Sequence, residues 1–307
     1  MRFQTKITLA LLLLLLPTSL YAGPIYFLSP KTNDTTALLF DKIQGAFPER
    51  DLILVNLAST ESLKKDGAFY IAAGNRALER VLEEQIKGPV LSVLVSRVAY
   101  HQVLESFPEA DTGKYLPVYA DPSLEHQFAL IKALFGKKYD IGVMLSSKTL
   151  YMQRNINAVA RKLELYVDIG IYKRPLSNRH VIRRFKPYDD VNIILALPDS
   201  TIYNEETIRG VIAKAYRENQ FIIGYSKALV AAGGLATVYY DIDHTARSAT
   251  KALEHYFNTK TLTLPDLRGN FGVEINRHVA DTYELDIDFT EKVHEKIITI
   301  LEECCGQ

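Results

Sequence analysis

Residues 68–96 read AFYIAAGNRALERVLEEQIKGPVLSVLVS, and this stretch decides the fold class. Ala68–Ala73 and Val90–Ser96 are short, nearly continuous apolar runs that read as strands, while Asn75–Gln85 between them reads as a helix. A strand with no polar alternation is covered on both faces, and a helical crossover between two such strands makes them parallel neighbours. The same alternation extends toward the N-terminus. Pro24–Ser29 (PIYFLS) and Leu52–Leu57 (LILVNL) read as strands, with Thr35–Phe47 and Ser59–Lys65 as helices.

A second series lies further along the chain. Asp140–Leu145, Leu165–Ile171, Val191–Leu197 and Phe221–Tyr225 read as strands; Ser123–Phe135, Leu150–Leu163 and Glu205–Asn219 read as helices. The right-handed crossover rule makes a doubly wound sheet the economical arrangement of each series. The expected fold is therefore α/β, with two doubly wound parallel-sheet lobes. Their joint is expected near 116–122, where Pro117 and Pro122 bracket an extended Val118-Tyr119-Ala120-Asp121.

Length and composition agree with this division. The chain has 307 residues, 48% hydrophobic and 23% charged, which is too apolar for disorder and long enough for two lobes of about 100–150 residues. Its 36 basic and 36 acidic side chains cancel. A nucleic-acid binder needs a concentrated basic face, so that class is disfavoured. Residues 1–22 carry Arg2 and Lys6, then the apolar run Ile7–Leu16, then Leu20-Tyr21-Ala22 before Gly23. This is the order of a secretory signal peptide, and ten apolar residues reach only about 15 Å as helix, half a bilayer core. Cleavage before Gly23 is expected, with a short N-terminal anchor as the alternative. No cysteine follows the run, so a lipoprotein is not expected, and the protein is expected to be exported. Loss of Arg2 and Lys6 leaves 34 basic against 36 acidic side chains, a net charge of −2. Cys304 and Cys305 are adjacent near the C-terminus and cannot staple a core; an exposed tail is expected there.

Catalytic motifs are missing. There is no G-x-S-x-G, H-E-x-x-H, Walker P-loop or G-x-G-x-x-G, and the seven histidines form no pair with metal-ligand spacing. The chain is expected not to be an enzyme and to need no cofactor or metal. The basic run Lys173-Arg174, Arg179, Arg183-Arg184 and Lys186 is expected on a solvated crossover helix. Polar residues recur instead at strand carboxyl ends, where parallel sheets meet ligands. They are Ser29, Gly74-Asn75, Ser96, Ser146-Ser147, Asp199-Ser200 and Tyr225-Ser226. Each is also a residue type suited to capping a helix.

Between 196 and 287 the spacing becomes specific. Leu197-Pro198-Asp199 precedes a helix, Gly224-Tyr225-Ser226 ends a strand, and Ala232-Gly233-Gly234-Leu235-Ala236 leads to Asp241. Ile275-Asn276 with Ala280 follows. This order resembles the substrate-binding proteins of ABC transporters with the type I periplasmic-binding fold, in the group that includes tryptophan and aromatic-amino-acid binders. Asp121-Pro122 and Ile141-Gly142-Val143 extend the resemblance more weakly. Ala246, Ser248, Glu284, Asp288 and Ser200 depart from the pattern.

The resemblance implies a two-lobe clamp crossed by a three-strand hinge. Its first lobe would hold 23–118 and 238–264, its second 119–237 and 265–288, with a C-terminal helix and tail at 289–307. It also implies capture of a small, amino-acid-like ligand by Ser29, Asn75, Ser96, Ser146, Ser147, Asp199, Tyr225, Tyr240 and Asp241. Ser146-Ser147 would take a carboxylate. Asp199 and Asp241 would take an amine, with helix capping the alternative for Asp199, and Tyr225, Tyr239 or Tyr240 would stack. The implied location is the periplasm, and the implied partner is an inner-membrane ABC permease, served by a monomer. A membrane sensor protein receiving the same clamp is the alternative.

Overall fold

The structure is a computed structural model that describes residues 23–30, 33–58, 63, 67–172, 191–264, 269–288 and 290–305. The expected signal segment, most of the Ser59–Lys65 helix and the basic run 173–186 lie outside these residues. The first sheet contains β1 (Ile25–Ser29), β2 (Leu52–Asn56), β3 (Phe69–Ala73), β4 (Val90–Val95) and β5 (Tyr115–Tyr119), all parallel, in the order β2-β1-β3-β4-β5. The second contains β6 (Ile141–Ser146), β7 (Val167–Tyr172), β8 (Ile193–Leu195), β9 (Phe221–Ile223), β10 (Ala236–Tyr239) and β11 (Gly272–Ile275). Its order is β11-β10-β9-β8-β6-β7, with β11 antiparallel and every other pair parallel. Setting β11 aside, both sheets are wound in the same order. In each the first strand lies between the second and the third, which creates a topological switch point.

The apolar runs form strands because both sheet faces are covered. In lobe 1, Ile25, Phe27, Phe69, Ile71, Leu91 and Val93 pack on α1 (Asp34–Ala46) and α8 (Ile242–Thr259). On the opposite face Leu28, Tyr70, Ala72 and Val90 pack on α2 (Asn75–Glu83) and α3 (Arg97–Glu105). Helix α8 comes from far along the chain and lays Ala246, Ala249, Ala252 and Leu253 onto this core. Small residues at helical spacing let the helix lie close to the sheet. Ala246, one of the departures from the family pattern, is thus a core contact of lobe 1.

In lobe 2 one face of the sheet meets α4 (Leu124–Phe135), α5 (Gln153–Lys162) and α10 (Thr290–Cys305). The other face meets α6 (Ile208–Arg217) and α7 (Lys227–Ala231). Short α9 (Arg277–Thr282) follows β11. Val293, Ile297 and Leu301, four residues apart along α10, are buried in this core, and Cys304 packs half-buried beside them rather than lying in an exposed tail.

Four elements, β5, β10, α3 and β11, differ from the sequence expectation. Residues 116–119 are part of β5, not a joint: Pro117 pairs with Ser92 and Tyr119 with Val95. Proline is tolerated there because β5 is an edge strand. The first crossing therefore begins after Tyr119, one residue beyond the expected boundary. Val238 and Tyr239 pair with Val273 and Gly272 in the second sheet, so the second crossing starts at Tyr240 rather than 238. The Tyr239 ring lies over Gly272, and a Cβ there would displace it. The sequence also hid α3 and β11.

Candidate functional site

The two switch points supply the frame. At the first, Ser29 ends β1 with only 2% exposure and Gly74 follows β3. Gly74 turns the chain into α2 with φ +87°, a conformation open to glycine, and it offers no side chain to cap the helix. Asn75 is exposed in the first turn of α2, where an N-terminus favours a negative group.

At the second switch point the polar residues satisfy one another. Asp199 is fully buried. Its Oδ2 accepts from Thr149 Oγ1 at 2.7 Å and from the Ser146 N–H at 3.1 Å, and its Oδ1 accepts from the Thr201 N–H at 2.9 Å. Ser146 is also fully buried, and its Oγ accepts from the Lys148 N–H at 3.1 Å. Both residues, expected to take ligand groups, make these bonds within the lobe. Their hydrogen-bonding capacity serves to clip the loop after β6 to the loop after β8. Ser147 and Lys148 stay exposed, and Lys148 Nζ donates to Ser200 Oγ at 3.2 Å.

That clip holds a 3₁₀ turn, Leu150–Met152, whose Tyr151 reaches across to lobe 1. Its hydroxyl donates to the Arg97 carbonyl at 3.4 Å, and its ring centroid lies 3.8 Å from that of His101. Arg97 sits one residue beyond Ser96. The Ser96 hydroxyl accepts from the Ala99 N–H at 3.2 Å, so Ser96 caps α3. The Arg97 N–H donates to Asp121 Oδ1 at 2.6 Å, its Nε stands 3.8 Å from Oδ2, and its guanidinium lies 4.0 Å over the Tyr119 ring. Asp121 is 6% exposed; burial pushes its carboxyl up and the Arg97 charge pulls it back. Burial lifts Tyr151 to about 12, with Arg97 opposing, and also raises Tyr119, again against Arg97. The two phenols are therefore neutral over the physiological range.

Sequence reasoning missed Arg97, His101, Tyr119 and Tyr151. The available signal was Arg97's place immediately after a strand end, beside a serine that had been singled out. Tyr225 is half-buried in lobe 2, its ring 6.5 Å from that of Tyr203. Burial raises its hydroxyl pKa, and the Asp199 charge adds to the rise. Among the described residues no group of three His, Cys, Asp or Glu is placed to hold a metal ion.

No protein-family model matches the chain, and no curated protein matches it. Solved structures do. The ligand-free, open structure of CD0873, a substrate binding protein with adhesive properties from Clostridium difficile, matches with TM-score 0.63 at 13% identity, over 88% of this chain and 97% of that one. The ABC domain from Streptococcus pneumonia in complex with L-Trp matches with TM-score 0.53 at 18% identity, over 89% and 98%. A conserved domain protein from Vibrio cholerae matches with TM-score 0.53 at 12% identity, over 90% and 98%. The fold is that of the type I periplasmic binding proteins.

In this periplasmic-binding fold the lobes are joined by crossing segments, and here aromatic and histidine side chains lace them together. Tyr240, on the second crossing, accepts from the Ser123 N–H of the first at 3.2 Å, and its hydroxyl lies 3.1 Å from His126 Nδ1. Its ring stacks on His244 of α8, centroids 3.9 Å apart and 4° from parallel. Burial raises the Tyr240 hydroxyl pKa, and the bond from Ser123 opposes the rise. The third crossing lies between 260 and 271. His244 Nδ1 donates to its Asn270 carbonyl, and Phe271 packs 4.7 Å from the His126 ring. Asp241 caps α8 by accepting from the His244 N–H at 2.7 Å. Tyr240 and Asp241, expected to touch ligand, also make these contacts along the second crossing. Of the nine residues expected to bind, Asn75, Ser147 and Asp241 are exposed, Ser96, Tyr225 and Tyr240 are half-buried, and Ser29, Ser146 and Asp199 are buried.

Proposed function

We propose that this chain is an exported solute-binding protein that captures a small, amino-acid-like ligand between its lobes and delivers it to an inner-membrane ABC permease. The observation that carries the proposal is Tyr151 of lobe 2 lying across Arg97 and His101 of lobe 1. Contacts of this kind exist only while the lobes face each other closely, so a ligand touching both lobes shifts the population toward closure. In this reading the ligand carboxylate meets the free amino end of α2, with Asn75, and Ser147 from the other side. The apolar or aromatic body meets Tyr151, Tyr119 and Tyr225, and Arg97 fixes the polarity of the site. The sequence of residues 1–22, with Arg2 and Lys6 ahead of the apolar run Ile7–Leu16, supports export. Among the described residues no helix is long and apolar enough to cross a membrane.

A thermal-shift screen with aromatic amino acids, other amino acids, sugars and purines tests the proposal. A ligand at about 100 times its dissociation constant stabilises by about 2.7 kcal/mol. An amino acid is expected to raise the melting temperature, and Arg97→Ala to weaken its binding about tenfold or more, as loss of a charge-assisted contact does. A screen in which only sugars stabilise overturns the ligand class, and a flat screen overturns solute capture.

A further inference from the structure

A cavity of about 650 Å³ lies on lobe 2, well away from the cleft. Gln220, Phe221 and Ile222 line it at the start of β9, so it opens at the amino ends of the strands whereas the cleft lies at their carboxyl ends. Its walls are α6 and α9. The Tyr283 ring spans them, 4.9 Å from Phe221 and 5.7 Å from Tyr216, and its hydroxyl donates to the Tyr216 carbonyl at 3.5 Å. Helix α9 is anchored through Asn276, which donates to the Val230 carbonyl at 3.1 Å and accepts from the Val279 N–H at 3.2 Å. The cavity is therefore held open by fixed elements, and its volume falls in the range of small-molecule pockets.

Its chemistry is one-sided. Ile212, Phe221, Ile222, Val279 and the Tyr283 ring make an apolar floor, while Arg209, Arg217 and His278 stand at the rim. No residue lining the cavity is acidic, and neither arginine makes an ion pair among the described residues. The nearby Glu218 is drawn toward Lys214, at 3.5 Å. The two arginines are eight residues apart, about 12 Å along α6, so a cation stands toward each end of an apolar trough.

We propose that this groove is a second binding site, taking a small monoanion with an aromatic or apolar body, such as an aryl or medium-chain carboxylate. It stands independently of the cleft and of what the cleft binds.

The test titrates the full chain with 8-anilinonaphthalene-1-sulfonate, followed by fluorescence, and displaces the dye with decanoate. Saturable binding is expected. An Arg209→Ala/Arg217→Ala double variant weakens it about tenfold or more. Ala213→Phe, a change at an exposed residue of the wall, fills the trough and abolishes it, with melting temperatures unchanged. Tyr151→Ala, in the cleft, leaves dye binding as it was. The proposal is overturned if binding never saturates, if both groove variants bind like the parent, or if Tyr151→Ala removes the dye. It is also overturned if decanol displaces the dye as well as decanoate does, or if sedimentation shows a dimer that Ala213→Phe dissociates.

Discussion

The two lobes are wound alike, yet their facing edges are equipped in opposite ways. At the switch point of lobe 2, Asp199 binds Ser146, Thr149 and Thr201, so the one carboxylate there is spent inside the lobe. At the edge of lobe 1, Asp121 is almost as deeply buried, but it is matched to Arg97, whose guanidinium lies over Tyr119 at the mouth of the cleft. One acid stiffens a loop, and the other orients a cation. The division assigns polarity to lobe 1 and an aromatic lid, Tyr151, to lobe 2. Topology alone does not distribute chemistry; the hydrogen bonds at each strand end do.

The sharpest way to break this contrast is Asp199→Ala. It leaves the buried Thr149 hydroxyl and the Ser146 amide without their shared acceptor, and costs about 3 kcal/mol of stability, read by urea unfolding. Asp199→Asn keeps one acceptor oxygen and is expected to cost less. If Asp199→Ala unfolds like the parent and loses only ligand affinity, the carboxylate serves the ligand and the contrast between the lobes disappears.

The same contrast explains what the sequence made legible. Buried parallel strands announce themselves because both faces are apolar, and so Ala68–Ala73, Val90–Ser96 and Asp140–Leu145 were readable as strands without any partner in view. β5 was not readable, since Pro117 and Pro122 look like a linker until Ser92 is known to lie opposite Pro117. β11 is four residues long and antiparallel, with no run of its own to betray it. The strand-end positions were legible as a set, but their roles were not. Serine and aspartate serve equally as caps, clips or ligand contacts, and only the position of Thr149, Ala99 or the His244 amide decides among them. Tyr151 and Arg97 come from different lobes, 54 residues apart in the chain, and no local pattern joins them.

Tyr151→Ala probes the lid directly and is expected to have a smaller effect than loss of Asp199. It removes the contact with His101 and the bond to the Arg97 carbonyl, on a side chain that is 40% exposed. Global stability should hardly change. The closed population, followed by energy transfer between dyes placed one on each lobe, should fall, and ligand affinity with it by about tenfold. Tyr151→Phe retains the ring and is expected to lose only part of this. Unchanged energy transfer in Tyr151→Ala would mean that lobe 1 closes on other contacts and that the lid belongs to neither side.

The smallest effect concerns the seam between the lobes. His244 is carried by the lobe 1 helix α8, stacks on Tyr240 and donates to Asn270 of the third crossing. Burial lowers its pKa below the ordinary 6.5, and the Arg247 charge acts the same way. The bond to Asn270 and the Asp241 charge oppose it. The unfolded chain therefore takes up this proton first as pH falls. The contribution is fully present above pH 6.5 and is lost as pH drops through the lowered folded value, so unfolding becomes easier on acidification. Urea unfolding at pH 7.5 and pH 5.5 measures the slope, and His244→Gln isolates the residue because its titration is absent from the difference between the two proteins. The variant is expected to show a shallower loss of stability toward low pH than the parent. Parallel slopes would mean that protonation leaves the hinge intact.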